Sequence, residues 1–321
     1  MGAGQISTKS ALASTEVAGY LVRRVLWLIP VLFVVSVITF VLMHLVPGGP
    51  WSSDKDVYAG VQAAIDRKYH LNEPIWQQYG YWITDFLRGD FGPSFKYADR
   101  SINQIIAEGL PATVQLGVMA FVLSIAVGIP LGIIAALGHN RWPDYLATGV
   151  SMIGIATPSF VLAILLIVVF SVWLKVLPPL GWKGPDTWVM PVVALAGYQI
   201  AQIARYTRAS MLEVTRKDYV RTAHSKGLRE RAVVVRHMIR NALIPVITIL
   251  GPILAFLVTG SFIIEAFFGI PGIGRYYVQG IVQRDYSLIM AMTVIYAFAV
   301  AALNVVVDVL YGYIDPRIRY S

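Results

Sequence analysis

The 321-residue chain contains no cysteine, which excludes disulfides, thiolate nucleophiles and cysteine-based metal sites. Charge is scarce too: Asp, Glu, Lys and Arg make up 14% of the residues, against about 25% in an ordinary soluble domain. The five histidines, His44, His70, His139, His224 and His237, show no H-E-x-x-H or related spacing, so no metal site is expected. No G-x-x-x-x-G-K-[ST] phosphate loop occurs. The glycine-rich run Gly269-Ile270-Pro271-Gly272-Ile273-Gly274 lacks the Lys-Ser/Thr pair and reads as a tight turn. A Gly-x-Ser-x-Gly elbow is also missing, which disfavours an intramembrane hydrolase.

What the chain has in quantity is apolar sequence, 57% of its residues. A spanning helix needs about 20 mostly apolar residues, because hydrocarbon offers an open backbone no partner. Six stretches meet or approach that length: 25–46, 112–137, 145–174, 188–204, 242–264 and 287–311. The third is long for one crossing and short for two, and Gly154 with Pro158 marks a kink. The fourth is the least apolar. The first is too long for a secretion-signal core and is followed by Pro47-Gly48-Gly49-Pro50 instead of a cleavage site. The expected fold is therefore all-α, with six transmembrane helices.

An even number of spans puts both termini on one side, and Lys/Arg bias selects the cytoplasm. That placement puts 16 of the 26 Lys and Arg inside, ten of them between Arg205 and Arg240, with seven of the 18 acids. The pI of about 9.6 then follows from topology, and no nucleic-acid partner is expected. The expected organisation is a flexible tail at 1–20, a first span at 21–46, an outer loop of roughly 60 residues at 47–110, and a core at 111–321. Within the outer loop, Asn72 reads as an N-cap with Pro74 in the first turn. Trp76, Tyr79, Trp82 and Phe86 follow at three- and four-residue spacing, the pattern of an amphipathic helix on the membrane surface or against the spans. Those aromatics read either as an interfacial belt or as part of a surface that meets a binding protein.

Residues 205–240 leave the membrane for longer than an idle connection needs. Scattered apolar positions and the helix-ending Gly227 suggest two short helices around a turn. The run Asp218-Tyr219-Val220-Arg221-Thr222-Ala223-His224-Ser225-Lys226-Gly227-Leu228, with His237-Met238-Ile239-Arg240-Asn241-Ala242-Leu243-Ile244-Pro245, resembles the coupling segment of ATP-binding-cassette importer permeases. It is most similar to the dipeptide, oligopeptide and nickel branch. Many permeases carry Glu-Ala-Ala where this chain has Arg221-Thr222-Ala223, so no role is carried over from that glutamate. Further similarity lies in Gly128-Ile129-Pro130-Leu131-Gly132, Thr157-Pro158-Ser159-Phe160, Pro271-Gly272-Ile273-Gly274, Arg284-Asp285-Tyr286 and Asp315-Pro316-Arg317-Ile318-Arg319, and it covers nearly the whole chain from Leu21.

The resemblance implies a multi-pass subunit of a bacterial inner membrane, embedded in lipid, that supplies half of a solute pathway. It also implies three kinds of partner: a second homologous permease, two ATP-binding subunits that hold ATP and Mg, and an extracytoplasmic solute-binding protein. No cofactor or catalytic residue is implied in this chain. Tyr219, Arg221, Thr222, Ala223, Lys226 and Gly227 are the residues expected to couple to the ATPase, with Ala223 and Gly227 small enough for close approach. Peptides lead as substrate; nickel chelates, glutathione and oligosaccharides are the alternatives within the branch. A self-sufficient secondary carrier is the alternative of a different class. It would bury ionisable groups at mid-membrane, whereas His44, Glu265 and Asp308 sit near predicted span ends.

Overall fold

A computed structural model describes residues 3–45, 72–94, 96–97 and 100–314, with side chains from residue 22 to residue 307 of these. Among the described residues the regular structure is helical, apart from one isolated antiparallel bridge between Pro93 and Ser101. Helix α1 covers Ala3–Leu45, α2 Ile75–Leu87, α3 Ile102–Leu137 and α4 Trp142–Ala156. There follow α5 (Ser159–Trp173), α6 (Pro185–Thr215), the short α7 (Asp218–Ser225) and α8 (Glu230–Val258). The last are α9 (Phe262–Phe268), α10 (Ile273–Gln283) and α11 (Tyr286–Ile314).

Five helices are long and apolar enough to cross a bilayer: α1 from Val22, α3, α6, α8 and α11. Helices α4 and α5 qualify only as a pair, bent by 106° at their junction. Pro158 is the cause. It has no N–H to extend α4, and it drives Thr157 to an extended backbone, φ −92° and ψ 116°. Gly154 is not the hinge; it sits inside α4, where a Cβ would come within 2.9 Å of Ala201. At the N-terminus, the backbone of residues 3–20, part of the segment expected as a flexible tail, is helical and continuous with α1. Extending an existing helix costs far less than starting one, and no proline interrupts that stretch. The first part of the expected outer loop, 46–71, and the Asp315–Arg319 motif lie outside the described residues.

The chain divides into two compact units. The first combines residues up to Leu110 with those from Arg275 onward, and α1 packs on α11 within it. Helix α2 starts one residue after Pro74, which is its N-cap; Asn72 lies in the preceding turn and caps nothing. The carbonyl of Pro74 takes the N–H groups of Gln77 and Gln78 instead. Of the predicted aromatic ladder, Tyr79 is the anchor: its ring meets Phe33 and Phe40 of α1, and its hydroxyl bonds Ser36 Oγ at 2.8 Å. Trp76 stays 71% exposed. Helix α2 therefore lies against α1, one of the two placements expected. Asp285 caps α11, its Oδ1 accepting from the Leu288 N–H, while its Oδ2 accepts from the hydroxyl of buried Ser94.

The second unit, Pro111–Gly274, is organised around α6. More than half of the most apolar window of α6 is buried, 56% against 28% or less for the other single spans. Glycines allow that burial. A Cβ on Gly132 would stand 2.5 Å from the Ala204 carbonyl of α6, and one on Gly117 would stand 2.2 Å from the Leu257 carbonyl of α8. Backbones in contact gain dispersion where the hydrophobic effect between helices is absent. The predicted tight turn at Pro271–Gly274 closes over Glu265, fully buried, whose Oε2 accepts the Gly274 N–H at 2.8 Å. Added Cβ atoms on Gly272 or Gly274 would strike that carboxylate, which explains the glycines without any phosphate.

Candidate functional site

Helix α6 does not stop at Ala204 but runs on to Thr215, so the first eleven residues of the 205–240 segment are helical extension. Arg216 and Lys217 then turn the chain into α7. After a second turn the chain enters α8, which continues unbroken to Val258 and winds as a wider π-type helix over Val234–Ile239. The two expected short helices are thus one short helix and the opening turns of a long one. The reason lies in Glu230–Ala242, which holds no proline or glycine to stop a helix.

Helix α7 is strongly two-faced. Val220 and Ala223, at i and i+3, are 1% and 4% exposed and enter a cluster with Ala136 of α3, Met211 and Val214 of α6, and Val233, Val234 and Met238 of α8. Burying the valine alone contributes about 1.5–3 kcal/mol. On the other side Tyr219, Arg221, Thr222 and Lys226 face solvent. Tyr219, Thr222 and Lys226 share a face by their three- and four-residue spacing, and Arg221 lies beside it. The Arg221 guanidinium meets Asp218 at 3.4 Å, an exposed pair that adds little stability and leaves the cation accessible. The Thr222 hydroxyl donates to the Asp218 carbonyl at 2.9 Å.

Gly227 adopts φ +73°, the left-handed region, and nothing lies within 4 Å of where its Cβ would be. Its requirement is therefore conformational. The Gly227 N–H bonds the His224 carbonyl at 2.9 Å and the Leu228 N–H reaches back to Ala223, which ends the helix and turns the chain toward α8. Of the two small residues expected at a partner surface, only Gly227 is open to solvent. Ala223 faces the chain's own core, since its position on the helix is that of Val220.

Three contacts that hold the segment in place escaped sequence reading. His224 spans the turn, its Nδ1 at 3.0 Å from the Val220 carbonyl and its Nε2 at 2.8 Å from Glu230. The Ser210 hydroxyl of α6 donates to the Ala242 carbonyl of α8 at 2.7 Å. Deeper in, Arg208 donates to both oxygens of Asp144, at 2.6 and 2.8 Å; the Asn140 N–H at 3.0 Å, the Thr148 hydroxyl at 3.3 Å and His139 Nδ1 at 3.2 Å also contact that carboxylate. Asp144 is 3% exposed and Arg208 about a quarter exposed, so this bidentate pair ties α6 to the start of α4 from the edge of the core. Pro143-Asp144 reads as a helix first turn, but nothing in the order of residues pairs it with Arg208, 64 positions later.

An α-helical bundle of membrane-crossing length that carries a short two-faced helix, flanked by Lys217 and Lys226, between two of its spans has the architecture of a transporter's membrane component. The chain belongs to the family of binding-protein-dependent transport system inner membrane components, whose model matches residues 128–320; the family's N-terminal component model matches 17–117. It is 42% identical over 304 residues to the oligopeptide transport system permease protein OppB of Haemophilus influenzae, covering 94% of this chain and 99% of that one. It is likewise 42% identical to the dipeptide transport system permease protein DppB of Bacillus subtilis, over 94% and 98%. Among solved structures, the MetNI methionine transporter shares the fold with a TM-score of 0.56 at 16% identity, covering 66% of this chain and 97% of that one. As a member of this family the chain is a multi-pass protein of a bacterial inner membrane.

Proposed function

We propose that this chain is the permease subunit of an ATP-driven importer of di- or oligopeptides, and that α7 is its seat for the ATPase. The observation that carries this reading is the match along 94% of the chain to peptide permeases, joined to an α7 whose apolar face is anchored and whose basic face is free. ATP and Mg belong to two partner ATPases, a second homologous permease completes the pathway, and a solute-binding protein delivers the peptide outside. ATP-driven closure of the ATPases moves α7, and because α7 is bonded to both α6 and α8 it carries those spans with it. A switch of this kind needs the partner to bind the two conformations unequally. The exposed Tyr219, Arg221, Thr222 and Lys226 supply the groups that do so, and Gly227 and Ala223 hold their frame.

In this reading α4 and α5 form one bent crossing, so six spans place both termini and α7 in the cytoplasm. Charge supports that count. With the N-terminus and its Lys9, Arg23 and Arg24 inside, failure of the bent pair to cross would turn the ten basic residues of 205–240 outward, against the positive-inside rule. The native chain has no cysteine, so a Lys226→Cys variant gives a clean label: a membrane-impermeant thiol reagent is expected to reach it only in inside-out vesicles. Labelling in right-side-out cells would overturn the topology. For the function, the chain assembled with its partners in proteoliposomes is expected to take up a tripeptide only with ATP and binding protein. Ion-driven solute movement by the chain alone would make it a carrier instead.

A further inference from the structure

The stretch of α6 from Pro185 to Ala204 rises about 30 Å, the thickness of a bilayer's hydrocarbon. Arg205 and Arg208 therefore stand where hydrocarbon gives way to headgroups, on the inner side in the topology proposed above. The bond from Arg208 to Asp144 brings the first turn of α4 to the same level. Trp142 and Tyr145, in that turn, are 75% and 68% exposed, as rings that settle among headgroups should be.

Beside these groups a cavity of about 460 Å³ opens between α3, α4 and α6, within the roughly 300–1,000 Å³ of small-ligand clefts. Leu131 of α3, Met152 and Ile155 of α4 and Ala204 of α6 make apolar wall, with Arg205 and Arg208 at the headgroup end. Met152 is 67% exposed, so this wall reaches the outer surface of the unit. Asp144 neutralises Arg208. Arg205 is exposed and forms no ion pair among the described residues, which leaves one uncompensated cation at the end of an apolar groove.

The matching ligand carries an anion on a hydrocarbon tail, the chemistry of an anionic phospholipid. A peptide fits less well. Apart from the two guanidinium groups, the lining side chains offer hydroxyls only at Thr148 and Ser151, and that of Thr148 is turned to Asp144. An acyl chain that leaves other acyl chains gains no hydrophobic energy, so the charge of the headgroup sets the preference.

We propose that this groove holds an anionic phospholipid of the inner leaflet, its phosphate on Arg205 and one acyl chain between α3, α4 and α6. The lipid then packs on α6 where the span ends and the extension toward α7 begins, and so belongs to the frame through which α7 acts. The inference rests on the topology proposed above and adds a ligand to it.

The test uses the full transporter in nanodiscs that hold a small fraction of phosphatidylglycerol or of phosphatidylcholine, each with a photoreactive group on one acyl chain. Labelled residues are read by mass spectrometry after irradiation. Phosphatidylglycerol is expected to label Leu131, Met152 and Ile155 about fivefold more than phosphatidylcholine does, the weight of one basic residue near a membrane surface. Arg205→Gln is expected to abolish that preference and Arg205→Lys to keep most of it. Equal labelling of the groove by the two lipids, or a preference that survives Arg205→Gln, would overturn the inference. Walls that take no label from either lipid would show the groove to be covered by protein, with the same consequence. The comparison of the two lipids needs no variant, so it decides even if a substitution prevents assembly. A groove without lipid preference, in a transporter whose Lys226→Cys thiol is reached only from inside, sinks the lipid site and leaves the topology standing. A thiol reached from outside sinks the inner-leaflet placement with the topology.

Discussion

Helices α1 and α6 are both apolar enough to cross a bilayer, and they differ in almost everything else. The most apolar window of α1 is 11% buried within the chain, and its side is crowded with exposed Val, Leu, Ile and Phe. Helix α6 is the least apolar of the single spans and the most buried, with Gln199, Thr207 and Arg208 along it and small residues at its contacts. Hydropathy therefore reports the surroundings of a span more than its depth in the structure. Where lipid or another subunit is the neighbour, the side chains must be oily. Where protein is the neighbour, glycine contacts and ion pairs replace them.

That contrast can be broken experimentally, and the sharpest tool is Gly132. Gly132→Leu puts a branched side chain where even a Cβ meets the Ala204 carbonyl at 2.5 Å. Overpacking costs about 1–3 kcal/mol or more per site, so little monodisperse protein is expected from size-exclusion chromatography in detergent. Next comes Arg208→Leu, which removes the bidentate partner of Asp144 and leaves it His139, the Asn140 N–H and the Thr148 hydroxyl; it is expected to destabilise by about 1.5–3 kcal/mol. The melting temperature in detergent should drop accordingly. Adding Asp144→Leu should restore much of it, and a double variant no better than the single would mean that the carboxylate is satisfied without Arg208.

A smaller effect is expected at Gly227. Gly227→Val forces a branched residue into a left-handed conformation at about 1–2 kcal/mol, with open space around it. The protein should still insert and melt within a few degrees of wild type, while ATP hydrolysis by the assembled complex loses its link to uptake; unchanged coupled transport would remove the lever from the account. The smallest change belongs to α1. Val34, 51% exposed, should tolerate Val34→Ala at under ~1 kcal/mol. A large loss there in the isolated chain would erase the contrast between the two helices.

The apolar stretches read from the sequence each fall on a helix, and the ends of the first, third and last agree to within a few residues. By contrast, α3 begins ten residues before and α8 twelve residues before the expected stretch, because both helices continue out of their apolar runs. The inner end of α6 was misjudged as well, since the helix continues past the apolar stretch on the packing of Met211 and Val214. The left-handed Gly227 was expected from its place after a helical run. The inward turn of Ala223 was not. An alanine reads the same whether it faces a partner or its own core, and only the position of Val220 three residues earlier hinted at the choice. Gly128-Ile129-Pro130-Leu131-Gly132 carried a small-xxx-small spacing that announces a helix contact, but not which helix it meets.

Membership in the all-helical membrane class, the approximate number of spans and the basic segment between α6 and α8 were determined by residue order alone. Each depends on the transfer of short contiguous stretches between water and hydrocarbon, and that cost is additive along the chain. Only the tertiary structure decided that Arg208 holds Asp144, that Val220 and Ala223 anchor α7, and that Leu131, Met152 and Arg205 line one groove. Those relations join residues from six to more than 60 positions apart across different helices, and such pairings follow from how helices pack, which no local pattern encodes.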